Sequence, residues 1–282
     1  MGKSTLLNAL MGEKVAITSK KPQTTRNRIT GILSKDETQY VFLDTPGIHK
    51  PQSLLGEYMV KAANGSINDV DAVIFVVEPS NVIHAIEQGL LERFKKSEIP
   101  VILAINKIDS IPGEKIAKLI EMYTADCEFA SVIPISALKN DGVDIIMKEL
   151  NNYLVESDWF FPEDVITDQP ERQIVAEVIR EKLLRLLDDE IPHGVAVVVE
   201  SFKESKGMLD IRAEIFCERA SHKSIIIGKN GDMIKKVGTY AREDLEKFFG
   251  QKIYLNLWLK VKEKWRDNSF LLGNFGYTKV EK

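Results

Sequence analysis

The sequence predicts two domains in a chain of 282 residues: an α/β domain with a mostly parallel sheet and helices on both faces, then a smaller α+β domain. Three observations carry this. Short continuous apolar runs at 72–77 and 101–105, and a further strand-like stretch at 131–135, alternate with stretches of helical spacing, as strands covered on both faces do. Polar motifs follow directly on these runs, where open α/β sheets bind ligands. The back half reads helix, strand, strand, helix, helix, strand, with a glycine-flanked turn between its two middle helices.

The first element is the stretch Met1-Gly2-Lys3-Ser4-Thr5, which runs into an apolar helix over 4–10. It is the back half of a phosphate-binding loop, G-x-x-x-x-G-K-[ST], in which backbone N–H groups and a helix N-terminus cradle phosphates. Residues 18–26 are polar and punctuated by Pro22, so they read as a loop. Residues 29–33 and 39–43 flank Ser34-Lys35-Asp36-Glu37 as a hairpin, which ends at Asp44-Thr45-Pro46-Gly47. A helix is expected near 54–68, a strand at 72–77, a helix near 83–96 and a strand at 101–105. That strand stops at Asn106-Lys107-Ile108-Asp109. A helix near 113–124, a strand at 131–135 ending at Ser136-Ala137-Leu138, and a helix over 143–154 complete the domain. Lys3, Asp44, Asn106 and Ser136 are therefore expected to converge on one rim of the sheet. Each motif alone is an ordinary turn signal; four in order, each at an element boundary, are not.

Composition narrows the function classes. No run of about 18 apolar residues exists to span a membrane, and no basic-then-apolar leader opens the chain. Cys127 and Cys217 are the only cysteines, without metal-site spacing, which fits a reducing cytosol. Residues 172–282 carry 21 Lys+Arg against 17 Asp+Glu, and residues 1–171 carry 17 against 25. An acidic front half joined to a basic back half points the back half toward a polyanion.

Together, Gly2-Lys3-Ser4, Asp44-Thr45-Pro46-Gly47, Asn106-Lys107-Ile108-Asp109 and Ser136-Ala137-Leu138 resemble the motif set of translation-factor-type small GTPases. The loop Pro22 to Ile29 and the phrase Asp44 to His49 narrow the resemblance to the Era family of bacterial ribosome-assembly GTPases, and it runs to the C-terminus. The resemblance implies a P-loop GTPase domain that uses GTP/GDP and Mg²⁺. Gly2, Lys3, Ser4 and Thr5 meet the phosphates, with Lys3 neutralising the outer ones. Ser4 and Asp44 hold Mg²⁺, and Thr45, Pro46 and Gly47 follow, with the Gly47 N–H toward the γ-phosphate. From the Thr24-Thr25 pair, Thr25 is expected on the metal in the GTP state. Lys3, Thr25 and Gly47 form the catalytic set. Asp109 can accept both N–H groups on the guanine Watson–Crick edge, a donor pair that adenine lacks. Asn106 and Lys107 brace the base, and the Ser136-Ala137 backbone can reach guanine O6. Ile48 stands where Ras-like enzymes carry a water-orienting glutamine, so slow intrinsic hydrolysis is expected.

Proteins of this resemblance begin earlier, with a strand and the front of the loop. The first strand and loop front are therefore expected to be missing here, and a chain that begins at Met1 is expected to bind GTP poorly and to fold badly in its first half.

Residues 156–171 contain Pro162 and Pro170 and have neither period, so they read as a linker, with Trp159, Phe160 and Phe161 docking on a domain face. In the back half, Ile174, Val178, Ile179, Leu183 and Leu186-Leu187 keep helical spacing. Strands are expected over 195–201 and 208–216 around Glu204-Ser205-Lys206-Gly207, a helix over 232–248, and a last strand over 255–261. With Ile227-Gly228-Lys229-Asn230-Gly231 between the middle helices, this order resembles a type II K-homology (KH) domain, which clamps about four nucleotides of single-stranded RNA on a G-x-x-G loop. Lys235 and Lys236 add charge beside it. Trp265, Phe270, Phe275 and Tyr277 either stack on bases or pack the tail.

The expected organisation is a GTPase domain over 1–155, a linker over 156–171, a KH domain over 172–262 and a tail over 263–282. The leading function is a GTP-hydrolysing RNA-binding protein. By resemblance it binds the 3′ end of small-subunit ribosomal RNA, helps mature the small ribosomal subunit and associates peripherally with the inner face of the membrane; a cytoplasmic monomer is expected. The alternative is an RNA-binding module with a dead nucleotide site. A tandem-GTPase relative is disfavoured, because only one motif set occurs.

Overall fold

A computed structural model describes residues 1–66, 70–205 and 207–277. In chain order the elements are α1 (Lys3–Met11), β1 (Ile29–Lys35), β2 (Thr38–Asp44), α2 (Leu54–Gly65), β3 (Val73–Val77), α3 (Ala85–Phe94), β4 (Val101–Ile105), α4 (Gly113–Thr124), β5 (Ser131–Pro134) and α5 (Val143–Leu150). Then come α6 (Glu171–Leu186), β6 (Ala196–Ser205), β7 (Met208–Cys217), α7 (Ala220–Ile227), α8 (Asp232–Phe249), β8 (Lys252–Val261) and α9 (Ser269–Asn274). The end of the expected 54–68 helix, Lys206 of the expected turn and the last five residues of the tail lie outside the described residues. Among the described residues no helix is long and apolar enough to cross a membrane.

Two compact units form. The first comprises Met1–Ala16, Arg28–His49 and Ala62–Thr167; the second comprises Ile17–Asn27, Lys50–Lys61 and Asp168–Lys282. Two segments from the front of the chain, including the Thr24-Thr25 loop, thus group with the back half. Sequence order gives no sign of that.

In the first unit, β3, β4 and β5 form a parallel sheet in the order β3-β4-β5, and β1 and β2 form a separate antiparallel hairpin. Every residue of β4 is buried, as its unbroken apolar run requires. Alternate residues serve opposite faces. Ile102 and Ala104 pack with Leu6, Ile133, Ile135 and Ile146, whereas Leu103 and Ile105 pack with Phe75, Leu91, Leu119 and Tyr123. Helix α1 ends at Gly12, whose φ of 71° is a left-handed cap that glycine adopts without strain.

The connector is tethered to the hairpin. Ile32 N–H donates to Ile166 O (2.9 Å), Thr167 Oγ1 to Thr30 O (2.8 Å), and Phe161 and Gln39 exchange two hydrogen bonds (2.9 and 3.0 Å). Trp159 Nε1 donates to Glu37 O at 3.3 Å. Phe160 departs from the docking expected of all three aromatics: it is 78% exposed. Its neighbours' bonds to the hairpin turn its ring outward.

In the second unit, β6 pairs antiparallel with β7, and β7 pairs parallel with β8. One face of this sheet packs on α6, α7 and α8 through Val175, Ile179, Leu183, Ile211, Ile226, Val237 and Leu245, among others. A second cluster joins Leu55 and Met59 of α2 to Ala196, Phe216, Trp265, Leu272 and Tyr277. Trp265, Phe275 and Tyr277 are therefore packing residues: Phe275 stacks on Phe216 at 4.5 Å, and Trp265 is fully buried with Nε1 donating to Gly194 O at 2.9 Å. Phe270 remains 73% exposed. Trp265→Phe leaves Gly194 O without its partner and is expected to cost about 2 kcal/mol, read as a lower denaturation midpoint of this unit.

Candidate functional site

The expected rim forms within the first unit. Gly2 caps α1 with φ 87°, and a Cβ there would come 2.6 Å from Asn106 Nδ2, so only glycine lets the loop pass. The N-terminus of α1 places Lys3, Ser4 and Thr5 in its first turn. Ser4 Oγ donates to Asp44 Oδ2 at 2.6 Å, which joins the loop to the end of β2. Beyond Asp44, Thr45 is half-buried, Pro46 is buried, and a Cβ on Gly47 would stand 3.8 Å from Lys3 Nζ. The lysine ammonium and the Gly47 backbone thus border the same space. Ile48 is half-buried, and the neighbouring His49 donates from Nδ1 to Gly47 O at 3.0 Å.

Asn106 is the hub. Buried at the end of β4, it donates from Nδ2 to Met1 O (2.8 Å) and accepts at Oδ1 from Lys107 N–H (2.8 Å) and Ala137 N–H (3.0 Å). One amide side chain therefore ties three loops together. Lys107 takes a left-handed backbone, φ 65°, which turns the next residues over the rim. Ser136 Oγ donates to Asp109 Oδ1 at 2.8 Å and orients an otherwise exposed carboxylate. The Ala137 N–H expected to meet guanine O6 is bonded to Asn106, and the Ser136 N–H donates to Asp141 O at 2.9 Å. A base oxygen would share the Ala137 N–H with Asn106.

Sequence reasoning missed Glu78, the residue after β3. It pairs with Lys107 Nζ, and that hydrogen bond holds the Glu78 carboxyl below its usual range. An acid following a buried strand was the available signal. Thr25 is buried but is counted with the second unit, so it is not grouped with Ser4 and Asp44.

The G-x-x-G turn lies in the second unit between α7 and α8. Gly228 has φ 75° and ψ 177°, Asn230 is left-handed at φ 53°, and Gly231 has φ 81°. A Cβ on Gly228 would come 2.7 Å from Met233 Cβ and 2.9 Å from Met233 N. Ile227 is half-buried beneath the turn, while Lys229, Asn230, Lys235 and Lys236 are exposed. Cations and a helix N-terminus therefore share one surface, which suits phosphates.

Comparison with known proteins sets these sites in a family. A family model described as a 50S ribosome-binding GTPase matches residues 1–107, and one for the KH domain matches residues 190–266. GTPase Era of Clostridium kluyveri is 51% identical over 98% of this chain and 95% of its own length. The chain belongs to the Era family of GTPases. GTPase Era of Ruminiclostridium cellulolyticum is 50% identical over 98% of this Era-family chain and 93% of its own length. Among solved structures, a tyrosine-to-alanine variant of Aquifex aeolicus Era bound to GDP and tetrafluoroaluminate superposes with a TM-score of 0.94. It is 40% identical and covers 98% of this chain and 95% of its own. A structure of Era with MgGDPNP and nucleotides 1506–1542 of 16S ribosomal RNA has the same TM-score, identity and coverage.

The Era-family site fits magnesium by donor chemistry. Ser4 Oγ and Asp44 Oδ2 are hard oxygen donors 2.6 Å apart. Among the described residues no group of three or more His, Cys, Asp or Glu could hold a metal by itself. A lone carboxylate and hydroxyl suit an ion that completes its shell with water and phosphate oxygens.

Proposed function

We propose that this chain binds GTP with Mg²⁺, hydrolyses it to GDP and phosphate, and binds the 3′ end region of small-subunit ribosomal RNA through its KH domain, in small-subunit assembly and ribosomal RNA maturation. The observation that carries the nucleotide reading is the Asn106 hub. It gathers the Lys3 loop, the Asp109 turn and the Ser136-Ala137 turn, so phosphate and base ends of one nucleotide meet one rim. Gly2 to Thr5 would cradle the phosphates and Lys3 would neutralise the charge that develops on them. Asp44 and Ser4 would hold the ion, which supplies charge neutralisation between the phosphates when bound. The resemblance assigns the remaining protein ligand to Thr25. Thr45 and Pro46 shape the turn that aims the Gly47 N–H. Ile48 has no polar atom to orient water, so the unaided chain is slow.

The RNA assignment is supported by the 16S fragment bound by the solved relative, over nearly the whole chain. The family model whose description names the 50S subunit matches only residues 1–107, so the small subunit is the better-supported partner. The KH contact surface comprises Ile227 to Gly231 with Lys235 and Lys236. The protein acts in the cytoplasm as a monomer, with peripheral association at the inner membrane face carried over from the family resemblance alone. The domain limits that go with this reading are 1–155, 172–262 and a tail over 263–282.

The deciding experiment is phosphate release from GTP with Mg²⁺, with ATP as the control. GTP is expected to turn over slowly and ATP not at all, and EDTA is expected to abolish turnover. Equal turnover of ATP overturns the guanine assignment, and no turnover of GTP beside intact binding of the 16S fragment favours the dead-site reading.

A further inference from the structure

The sheet of the KH unit gives only one face to its three large helices. On β7 and β8, Ile211, Ala213, Leu255 and Leu257 turn to the helix side, so Arg212, Glu214, Tyr254 and Trp258 turn to the other. Around Phe216 that other face is covered by Trp265, Leu272 and Phe275. Further along it, Trp258 is 59% and Tyr254 53% exposed. Two adjoining hollows of about 330 and 510 Å³ open there. Trp258 and Arg212 wall the first, Phe270 and Lys262 the second, and Glu200, Glu214 and Lys260 are common to both. Together they make one trough across the sheet, within a single compact unit.

The side chains of the trough suit nucleotides. Large rings held in water on a rigid sheet are a surface for stacking, and every base has a face to offer them. Trp258 and Tyr254 stand four residues apart on one strand, about 13 Å, so each takes its own base. Charge favours a polyanion. Glu214 is neutralised by Lys260, its partner in an ion pair. Arg212 Nε lies 3.8 Å from Asp210 Oδ1, an ion pair too long to be a hydrogen bond. Arg212 and Lys262 thus stand toward the two ends of the trough, with Glu200 between them. The cations can meet successive phosphates, and the carboxylate can accept from an exocyclic amine such as cytosine N4.

We propose that this trough is a second RNA site, where single-stranded bases stack on Trp258 and Tyr254 and their phosphates pair with Arg212 and Lys262. The inference rests on the proposed RNA reading and extends it to a face the G-x-x-G turn does not reach. That turn ends α7, whose Ile226 packs in the helix layer on the opposite side of the sheet. A G-x-x-G turn clamps about four nucleotides. The RNA held by the solved relative runs from nucleotide 1506 to 1542, long enough to occupy both faces.

The test is the affinity of the full chain for that same 16S fragment, by fluorescence anisotropy, with Trp258→Ala, Trp258→Phe and Lys262→Glu beside the parent. Trp258→Ala is expected to lower affinity about tenfold, as loss of one stacked base does. Trp258→Phe keeps a ring and is expected to stay within about threefold of the parent. Lys262→Glu is expected to weaken binding about tenfold and to flatten its salt dependence. It changes an exposed charge alone, so it decides the matter if the alanine variant misfolds. Combined with Lys229→Asp, the Trp258→Ala loss is expected to multiply, because sites on opposite faces act independently. Parent affinity in both Trp258→Ala and Lys262→Glu would leave the trough to a protein or lipid partner and overturns the proposal. A double variant no weaker than Lys229→Asp alone overturns it too, since Trp258 would then serve the G-x-x-G site. A parent chain that does not bind the fragment overturns the RNA reading itself, and this inference with it.

Discussion

Asp109→Asn is expected to cost this protein its guanine preference and to give it xanthine in exchange. The carboxylate is held by Ser136 Oγ at 2.8 Å, so it is oriented before any base arrives. An ionised carboxylate only accepts, and guanine offers it N1–H and the exocyclic amine. Asparagine turns one of the two acceptors into a donor, which faces the guanine amine as a repulsive pair. Its remaining oxygen still accepts from Ser136. Losing one charge-assisted hydrogen bond, at about 1.5–3 kcal/mol, and the charge behind the other lowers GTP affinity by roughly 10–10³-fold. Xanthine carries a carbonyl where guanine carries the amine, so the same substitution raises affinity for XTP. Competition of GDP and XDP against a fluorescent guanine nucleotide reads both changes. Retained guanine preference in the variant would show that the base lies elsewhere, and the Asn106 hub would then be only a scaffold.

How much of this could be read from sequence depended on whether a residue's partners were near in pattern. β4 was legible because burial on both faces demands an unbroken apolar run, and Val101–Ile105 is one. The rim was legible because the sheet topology brings strand ends together whatever the spacing between them. The buried face of α6 was not. Arg180-Glu181-Lys182 reads as a solvent-facing turn of helix, yet the three are 1%, 0% and 4% exposed. Their partners come from far away: Thr24 O and Thr18 N–H from the front of the chain, and Asp244 from α8, which pairs with Lys182. Charges that are buried and paired look like surface charges in one dimension. Glu78 escaped notice for a similar reason, since its partner Lys107 reaches it only through a left-handed backbone turn. The spent Ala137 N–H was likewise invisible, because a motif gives residue types and no account of which donor is already engaged.

The G-x-x-G turn should fail in two separable ways. Lys229 is exposed and its backbone is undistorted by its side chain, so Lys229→Asp changes charge alone. RNA affinity for the 16S 3′ fragment is expected to fall about tenfold or more, with the slope of log affinity against log salt reduced by about one, as loss of one phosphate contact requires. Gly228 is a different matter. Its φ of 75° with ψ of 177° belongs to a region that other residues essentially do not occupy. A Cβ would also lie 2.9 Å from Met233 N, and that atom belongs to the first turn of α8 and has nowhere to retreat. Gly228→Ala is therefore expected to shift the turn itself and lower affinity at every salt concentration, leaving the slope nearer that of the parent. Carrying both changes as Asp, the protein should lose about 100-fold or more, while far-UV circular dichroism reports an intact sheet and helices. The contrast between a salt-dependent loss at Lys229 and a salt-independent one at Gly228 separates charge from backbone approach. An unchanged affinity in the double variant would place the RNA on some other face of this unit, and the exposed Lys235 and Lys236 would then need testing on their own.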